Sequence, residues 1–168
     1  MFKSVGRSNG PHFVLDAAAF TSLRDCLPPS KHHGRIVCTP HFGEMAKFLN
    51  VDKEEVEKDV LSNARLAAHR LKAVIAAKGA STYVVSPEGE ALLNNHGTIG
   101  LATSGSGDTL AGILAGLVAR GAPPYIATAW AVYTHAEAGR RLAARVGPLG
   151  FLAHEIPGEI PAIMRELG

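Results

Sequence analysis

"RIVCTPHFGEMAKFLN" (35–50) joins two patterns in one short stretch. Residues 35–40 are β-rich and closed by Pro40. Residues 41–50 then carry Met45, Phe48 and Leu49 at helical spacing. A short apolar run followed at once by a helical period is a strand–helix unit, and the pattern recurs on both sides. Upstream, "HFVLDA" (12–17) reads as a buried strand ending at Asp16. Phe20, Leu23 and Leu27 then predict a helix over 18–27 that "PPS" stops. "KHHG" (31–34) is a polar loop, and residues 1–11 are an irregular lead-in. Downstream, Asp52 and Glu55 have capping-box spacing. They open a helix reaching about Arg70, with Val56, Val60, Asn63, Ala67 and Leu71 near one face. "AVIAAKG" (73–79) is a third buried strand. "STYVVSPEGEALLNN" (81–95) is a hairpin of strands 82–85 and 91–94 around "SPEGE".

The second half is helical. After the small-residue loop "HGTIGLATSGSGD", Leu110, Ile113, Leu114, Leu117 and Val118 form one apolar stripe. Gly112, Ala115 and Gly116 give that helix a face open to close packing. Gly121 and Pro123–Pro124 end it. The next helix, about 124–144, has Ile126, Trp130 and Tyr133 as inner positions. The tail (150–167) predicts two short helices separated around Pro157. Strand–helix repeats, a hairpin and then helices predict an α/β layered domain with a mostly parallel sheet. No linker, internal repeat or low-complexity tract divides the chain, so residues 1–168 read as one domain.

A 46% hydrophobic and 19% charged composition is that of a globular chain with a sizeable core. Its 17 basic and 15 acidic residues leave a net charge of +2, and the basic residues are scattered. Nothing in that balance draws the chain to nucleic acid or to a membrane surface. No apolar run is long enough to span a bilayer. Cys26 and Cys38 lack metal-ligand spacing and read as two buried free thiols in a reducing compartment. The chain is expected to be cytoplasmic. His32 and His33 lie in a polar loop, His135 and Glu137 on a helix as solvated or packed residues, and Trp130 and Tyr133 in the core.

Three stretches carry candidate chemistry. "LATSGSGDTLAG" (101–112) is neither a P-loop nor a dinucleotide fingerprint: no Gly-Lys-Ser/Thr follows, and Leu110 stands where a third glycine belongs. It does place backbone N–H groups at Gly105, Ser106 and Gly107 just ahead of a long helix. First-turn amides lack intrahelical partners and carry the positive end of the helix dipole, which suits a phosphoryl group. Asp108 would then sit as a negative charge beside a negative ligand, which fits a base taking a proton from a substrate hydroxyl. On this motif alone, a plain turn before a helix is the better reading. "TPHFGE" (39–44) changes the balance, because it places Thr39, His41 and Glu44 at a strand end, where α/β sheets bind ligands. "AAKGAST" (76–82) likewise ends a buried strand, with Lys78 able to meet a phosphate and Gly79 freeing the backbone for a nucleotide.

Taken in order, "TPHFGEM", "KGAST" and "GLATSGSGDTLAG", with "PHFVLDAAAF" and "GFLAHEIPGEIP", resemble the ADP/ATP-dependent NAD(P)H-hydrate dehydratases, a branch of the ribokinase-like superfamily. The resemblance runs from about residue 12 to the C-terminus. It implies a three-layer αβα fold and repair of hydrated NADH or NADPH. ADP or ATP with Mg²⁺ would phosphorylate the C6 hydroxyl, and phosphate would then leave. By position it implies Asp108 as base and hydrate contact, with residues 105–107 holding the transferring phosphate. Lys78, Gly79, Ala80, Ser81 and Thr82, with Gly107, would line the adenine nucleotide. His41 would face the hydrate and Glu44 would organise Mg²⁺ or water. Asn94 and Asn95 lie in the polar segment before "GLAT". Three stretches depart from the family pattern: Ala18 replaces an acid, Phe42 a proline, and Thr98-Ile99 a common Asn-Pro or Thr-Pro pair. The family domain is also longer on its N-terminal side, so the chain reads as N-terminally truncated and is expected to form a homo-oligomer. The alternatives are a small-molecule kinase on the same fold and an inactive nucleotide-binding remnant.

Overall fold

A computed structural model describes residues 10–28 and 30–168. Residues 1–9 of the irregular lead-in lie outside the described residues. Five strands form one sheet in the order β1 (Phe13–Leu15), β2 (Ile36–Cys38), β3 (Val74–Ala77), β4 (Thr82–Val85), β5 (Ala91–Asn94). β1, β2 and β3 run parallel, with Val14 opposite Val37 and Val37 opposite Val74. β3–β4 and β4–β5 are antiparallel, with Ile75 opposite Val85 and Thr82 opposite Asn94. The sheet is therefore mixed, where the strand–helix repeat predicted a mostly parallel one. The hairpin adds both its strands to the β3 side, and only the first three strands are joined by helical crossovers.

Side-chain alternation along the strands builds two cores. Ile36, Cys38, Ile75 and Ala77 face α1 (Ala17–Thr21), α2 (Phe42–Leu49), α3 (Lys53–Lys58) and α4 (Val60–Leu71), meeting Phe20, Met45, Phe48, Val56, Ala67 and Leu71. Val37, Val74, Ala76 and Val84 face the other way, onto α5 (Ser106–Ala119) and α6 (Pro124–Val146) through Leu110, Leu114, Ala127 and Ala131. A third cluster, Leu142, Phe151, Ile156 and Ile163, binds α7 (Ile156–Leu167) to α6. Each large side chain fully buried in this way is worth about 1.5–3 kcal/mol. Among the described residues no helix is long and apolar enough to cross a membrane.

Several expectations are corrected. The helix expected over 18–27 ends at Thr21 and continues only as a 3₁₀ turn, Ser22–Arg24. The Thr21 and Ser22 hydroxyls both donate to the Ala18 carbonyl (3.1 and 2.6 Å), a local bond that competes with the helix. The helix expected from Asp52 to Arg70 breaks at Asp59, which leaves the helical region (φ −146°, ψ 74°) and caps α4 by accepting from the Ser62 N–H at 3.0 Å. Asp52 precedes α3 without a side-chain cap bond, so the capping box expected with Glu55 does not form. On α6, Ile126 is exposed and Trp130 and Tyr133 are only half-buried. The buried side carries small residues, Ala127, Ala131 and Gly139, because close approach to the sheet and α5 selects small side chains over large ones. On α5, Gly112, Ala115 and Gly116 are exposed, and a Cβ at either glycine would meet nothing among the described residues. The tail is one α-helix, preceded by a 3₁₀ turn, Ala153–Glu155. Pro157 falls in its first turn, where a missing N–H costs nothing. Cys26 is exposed; only Cys38 is buried.

Candidate functional site

The C-terminal ends of the three parallel strands meet the N-terminus of α5. Asp16 follows β1, Thr39 follows β2 and Lys78 follows β3. The strand ends are laced by backbone bonds: Thr39 N–H donates to the Leu15 carbonyl (3.1 Å) and Lys78 N–H to the Pro40 carbonyl (2.8 Å). His41 and Lys78 form an isolated parallel bridge. "TPHFGE" and "KGAST" are thus neighbours in space.

The Lys78 ammonium donates to Asp16 at 2.7 Å, and both side chains are largely buried. Burial opposes ionisation of Asp16. The hydrogen bond and charge of Lys78, helped by Thr39 and the Ala17 N–H, outweigh it and hold the carboxyl below its usual range. The Thr39 hydroxyl is fully buried and completes no hydrogen bond of good geometry. Its influence on Asp16 is therefore that of a nearby dipole. Cys38 is inert: burial, with the Asp16 charge adding, pushes its thiol up to about 12.

α5 starts beside this pair. A Cβ built on Gly107 would lie 3.3 Å from Lys78 Nζ and 3.6 Å from Asp16 Oδ2. Gly105 precedes the helix with φ +85°, a left-handed conformation that favours glycine. The Thr109 hydroxyl donates to the carbonyls of Gly105 (3.1 Å) and Ala153 (3.3 Å), fastening the turn to the tail. Asp108 is exposed in the first turn of α5. Ser106 is buried, its hydroxyl 3.0 Å and its carbonyl 3.1 Å from His135 Nε2 on α6. Burial drives His135 down to about 4; the Ser106 carbonyl opposes this and the Lys78 charge adds to it. His135 is thus a packed, neutral ring, the second of the two readings its sequence position allowed.

His41 caps α2. Its Nδ1 accepts from the N–H groups of Gly43 (3.0 Å) and Glu44 (3.3 Å), while Glu44 Oε2 accepts from the His41 N–H at 2.8 Å. This is a reciprocal capping box. The cap residue is His41. The imidazole remains mostly exposed, with Nε2 3.4 Å from Glu44 Oε1. Phe42, where the family pattern has proline, places its ring against Gly79: a Cβ there would come within 2.3 Å of Phe42 Cζ. Residues 78–82 bend from β3 into β4, with Gly79 and Ala80 exposed and Ser81 and Thr82 half-buried. Asn94 Oδ1 accepts from the His96 N–H.

The structure therefore brings Lys78 to Gly107 at the start of α5 and places His41, bonded to Glu44, across a backbone bridge from Lys78. It adds two groups that the motifs did not single out. Asp16 could have been found as the acid closing an apolar strand. His135 carried no such signal, because only packing brings it to Ser106. Among the described residues no three His, Cys, Asp or Glu side chains converge as a metal group. Mg²⁺ typically needs one or two carboxylates together with substrate phosphates. Both Glu44 oxygens already face His41, one accepting its N–H at 2.8 Å and the other 3.4 Å from Nε2.

A family model described as NAD(P)H-hydrate dehydratase matches residues 1–162. An ADP-dependent (S)-NAD(P)H-hydrate dehydratase from Xanthomonas campestris is 47% identical over 156 residues, covering 92% of this chain and 52% of the relative. A bifunctional NAD(P)H-hydrate repair enzyme from Moorella thermoacetica is 37% identical, covering 92% of this chain and 29% of the relative. Among solved structures, a Bacillus subtilis ADP/ATP-dependent NAD(P)H-hydrate dehydratase co-crystallised with ATP/Mg²⁺ superposes with TM-score 0.82 at 30% identity, covering 92% of this chain and 55% of that one. A ribokinase-like superfamily protein from Enterococcus faecalis gives 0.80 at 30% identity, covering 92% and 52%. The chain spans about half the length, or less, of these relatives. With a matched model over nearly its whole length and the same fold, it belongs to the NAD(P)H-hydrate dehydratase family.

Proposed function

We propose that the strand ends and the α5 N-terminus form a phosphoryl-transfer site that dehydrates hydrated NADH or NADPH at the expense of ADP or ATP. One observation carries the reading: the α5 N-terminus lies against Lys78 and Asp16, with the Gly107 Cβ position 3.3 Å from the ammonium. An anion there meets the helix dipole, a cation and first-turn amides together, although the Ser106 N–H already donates to the Thr103 carbonyl at 3.2 Å. The curated relative named as an ADP-dependent dehydratase and the solved one co-crystallised with ATP/Mg²⁺ support the same nucleotide chemistry.

In this reading, residues 105–107 hold the transferring phosphate. Lys78 and residues 79–82 line the nucleotide, and His41 faces the hydrate. Asp108 takes the proton of the C6 hydroxyl as its oxygen attacks the terminal phosphorus, leaving AMP from ADP or ADP from ATP. The C6–O bond then breaks, phosphate departs, and loss of a C5 proton restores the ring. Preoriented amides favour charge spreading over the phosphoryl oxygens in the transition state. Glu44 would hold Mg²⁺ brought by the nucleotide, and the ion would supply neutralisation of phosphate charge.

The test is to incubate the chain with NADH hydrate, Mg²⁺ and ADP or ATP and follow the return of NADH absorbance. Nucleotide binding without turnover would favour a binding remnant, and a stable phosphorylated alcohol would favour a kinase. Asp108→Asn should keep nucleotide binding and lose at least about a hundredfold in kcat, the scale of a missing general base. Retained turnover would remove Asp108 from that role.

A further inference from the structure

We propose that His135 is a positioning residue that aims and polarises the Ser106–Gly107 peptide at the anion cradle. The inference rests on the phosphoryl-transfer reading for its consequence in catalysis, and on geometry alone for the interaction itself. His135 Nε2 lies 3.1 Å from the Ser106 carbonyl and 3.0 Å from the Ser106 hydroxyl. A carbonyl oxygen only accepts, so a bond to it requires the proton on Nε2. That single N–H then holds both oxygens of Ser106, and the hydroxyl becomes a second acceptor. Ser106 and His135 are both buried, so water does not replace the contact cheaply.

The consequence runs through the peptide plane. A trans peptide is planar, so its C=O and N–H point in opposite directions. Holding the Ser106 carbonyl from the α6 side therefore aims the Gly107 N–H away from α6, out of the α5 N-terminus. Lys78 and Asp16 lie within 3.6 Å of the Gly107 Cβ position, so this peptide borders the charged pair. Donation to the carbonyl also draws electron density from the amide and makes its N–H a stronger donor. Gly105 holds the other side of the turn in a left-handed conformation, its carbonyl accepting from Thr109. The strut from the interior fixes the one peptide of the cradle that lies between these bonds and the charged pair.

The test compares His135→Gln, whose amide N–H can reach the place of Nε2, with His135→Asn, whose shorter amide cannot, and with His135→Leu. In the unaltered chain, imidazole nitrogen resonances should show the proton on Nε2; a proton on Nδ1 overturns the proposal. The Gly107 amide resonance should move in the Leu and Asn variants and return toward its original position in the Gln variant. With NADH hydrate and ADP, His135→Leu should lower kcat roughly tenfold or more, a fraction of the loss expected for deleting a whole cradle donor, with KM for ADP within about threefold. His135→Gln should recover most of that loss and His135→Asn should not. A folded Leu variant with unaltered kcat, or a Gln variant no better than Asn, overturns the assignment. If His135→Leu does not fold, the ring tautomer and the Gln–Asn contrast still decide. If the unaltered chain turns over no hydrate, the dehydratase reading fails, while the tautomer and Gly107 resonances judge the strut independently.

Discussion

His135 and Asp16 illustrate how a buried polar side chain is made tolerable. His135 is kept neutral by burial, its folded value about 4 against an ordinary 6.5. The sign of the consequence follows from proton uptake. Between pH 6.5 and 4 the unfolded chain binds a proton at this residue and the folded chain does not, so stability falls as pH falls through that window. The contribution is present above 6.5, and its full loss is on the order of 3 kcal/mol. Urea unfolding of the unaltered chain and of His135→Gln at pH 7, 6, 5 and 4 checks this. The two curves should converge toward pH 4 as the advantage of the neutral ring disappears. Asp16 behaves oppositely in range. Lys78 holds its carboxyl below the usual value, so its contribution survives to lower pH and is lost only as the carboxylate protonates.

At the scale of elements, the ends of β2 and β3 are matched to each other. The strand-ending "TP" and the reciprocal His41–Glu44 bonds start α2, and Phe42 then lies across Gly79 at the end of β3. Gly79 has a packing reason beyond the nucleotide role its motif suggested. Gly79→Ala should destabilise the chain by about 1–3 kcal/mol, the usual cost of overpacking. Adding Phe42→Ala should make the pair less than additive in thermal unfolding, because the clash is then gone. Two other glycines seat the loop before α5. A Cβ on Gly100 would meet the Phe151 ring at 2.4 Å, and one on Gly139 would meet Leu101 at 2.7 Å. "GLAT" was legible as a family motif. Its anchoring on α6 and on the start of the tail was not, since neither partner is near it in sequence.

At the scale of the molecule, the tail buttresses the cradle from behind. Thr109 donates to Ala153, Phe151 packs on Gly100, and α7 lies along α6. Two forces hold α7: the buried Ile156 and Ile163, and ion pairs from α6 of Arg141 with Glu166 and of Arg145 with Glu159. Exposed pairs are each worth about 0.2–1 kcal/mol and weaken with salt, whereas deleting a buried Ile side chain costs about 2–5 kcal/mol. Packing therefore decides. Ile163→Ala should lower stability by that larger amount and speed amide exchange throughout α7. Arg141→Ala should cost less than about 1 kcal/mol, with the deficit shrinking as salt is raised.

The sequence by itself determined the strand–helix order, the hairpin 82–85/91–94 and the motifs at the three strand ends, because each rests on local periodicity, turn chemistry or a short contiguous pattern. It could not determine which residues of α6 face inward, since close packing there favours Ala127, Ala131 and Gly139 over the larger Ile126, Trp130 and Tyr133. Nor could it reveal the break at Asp59, where one side chain's bond to the backbone outweighs helix continuity. The pairing of Lys78 with Asp16, 62 positions apart, and of His135 with Ser106, 29 apart, was decided only by the tertiary structure. Charge and hydrogen-bond partners in a buried site are chosen by distance in space, and only the packed sheet and helices set that distance.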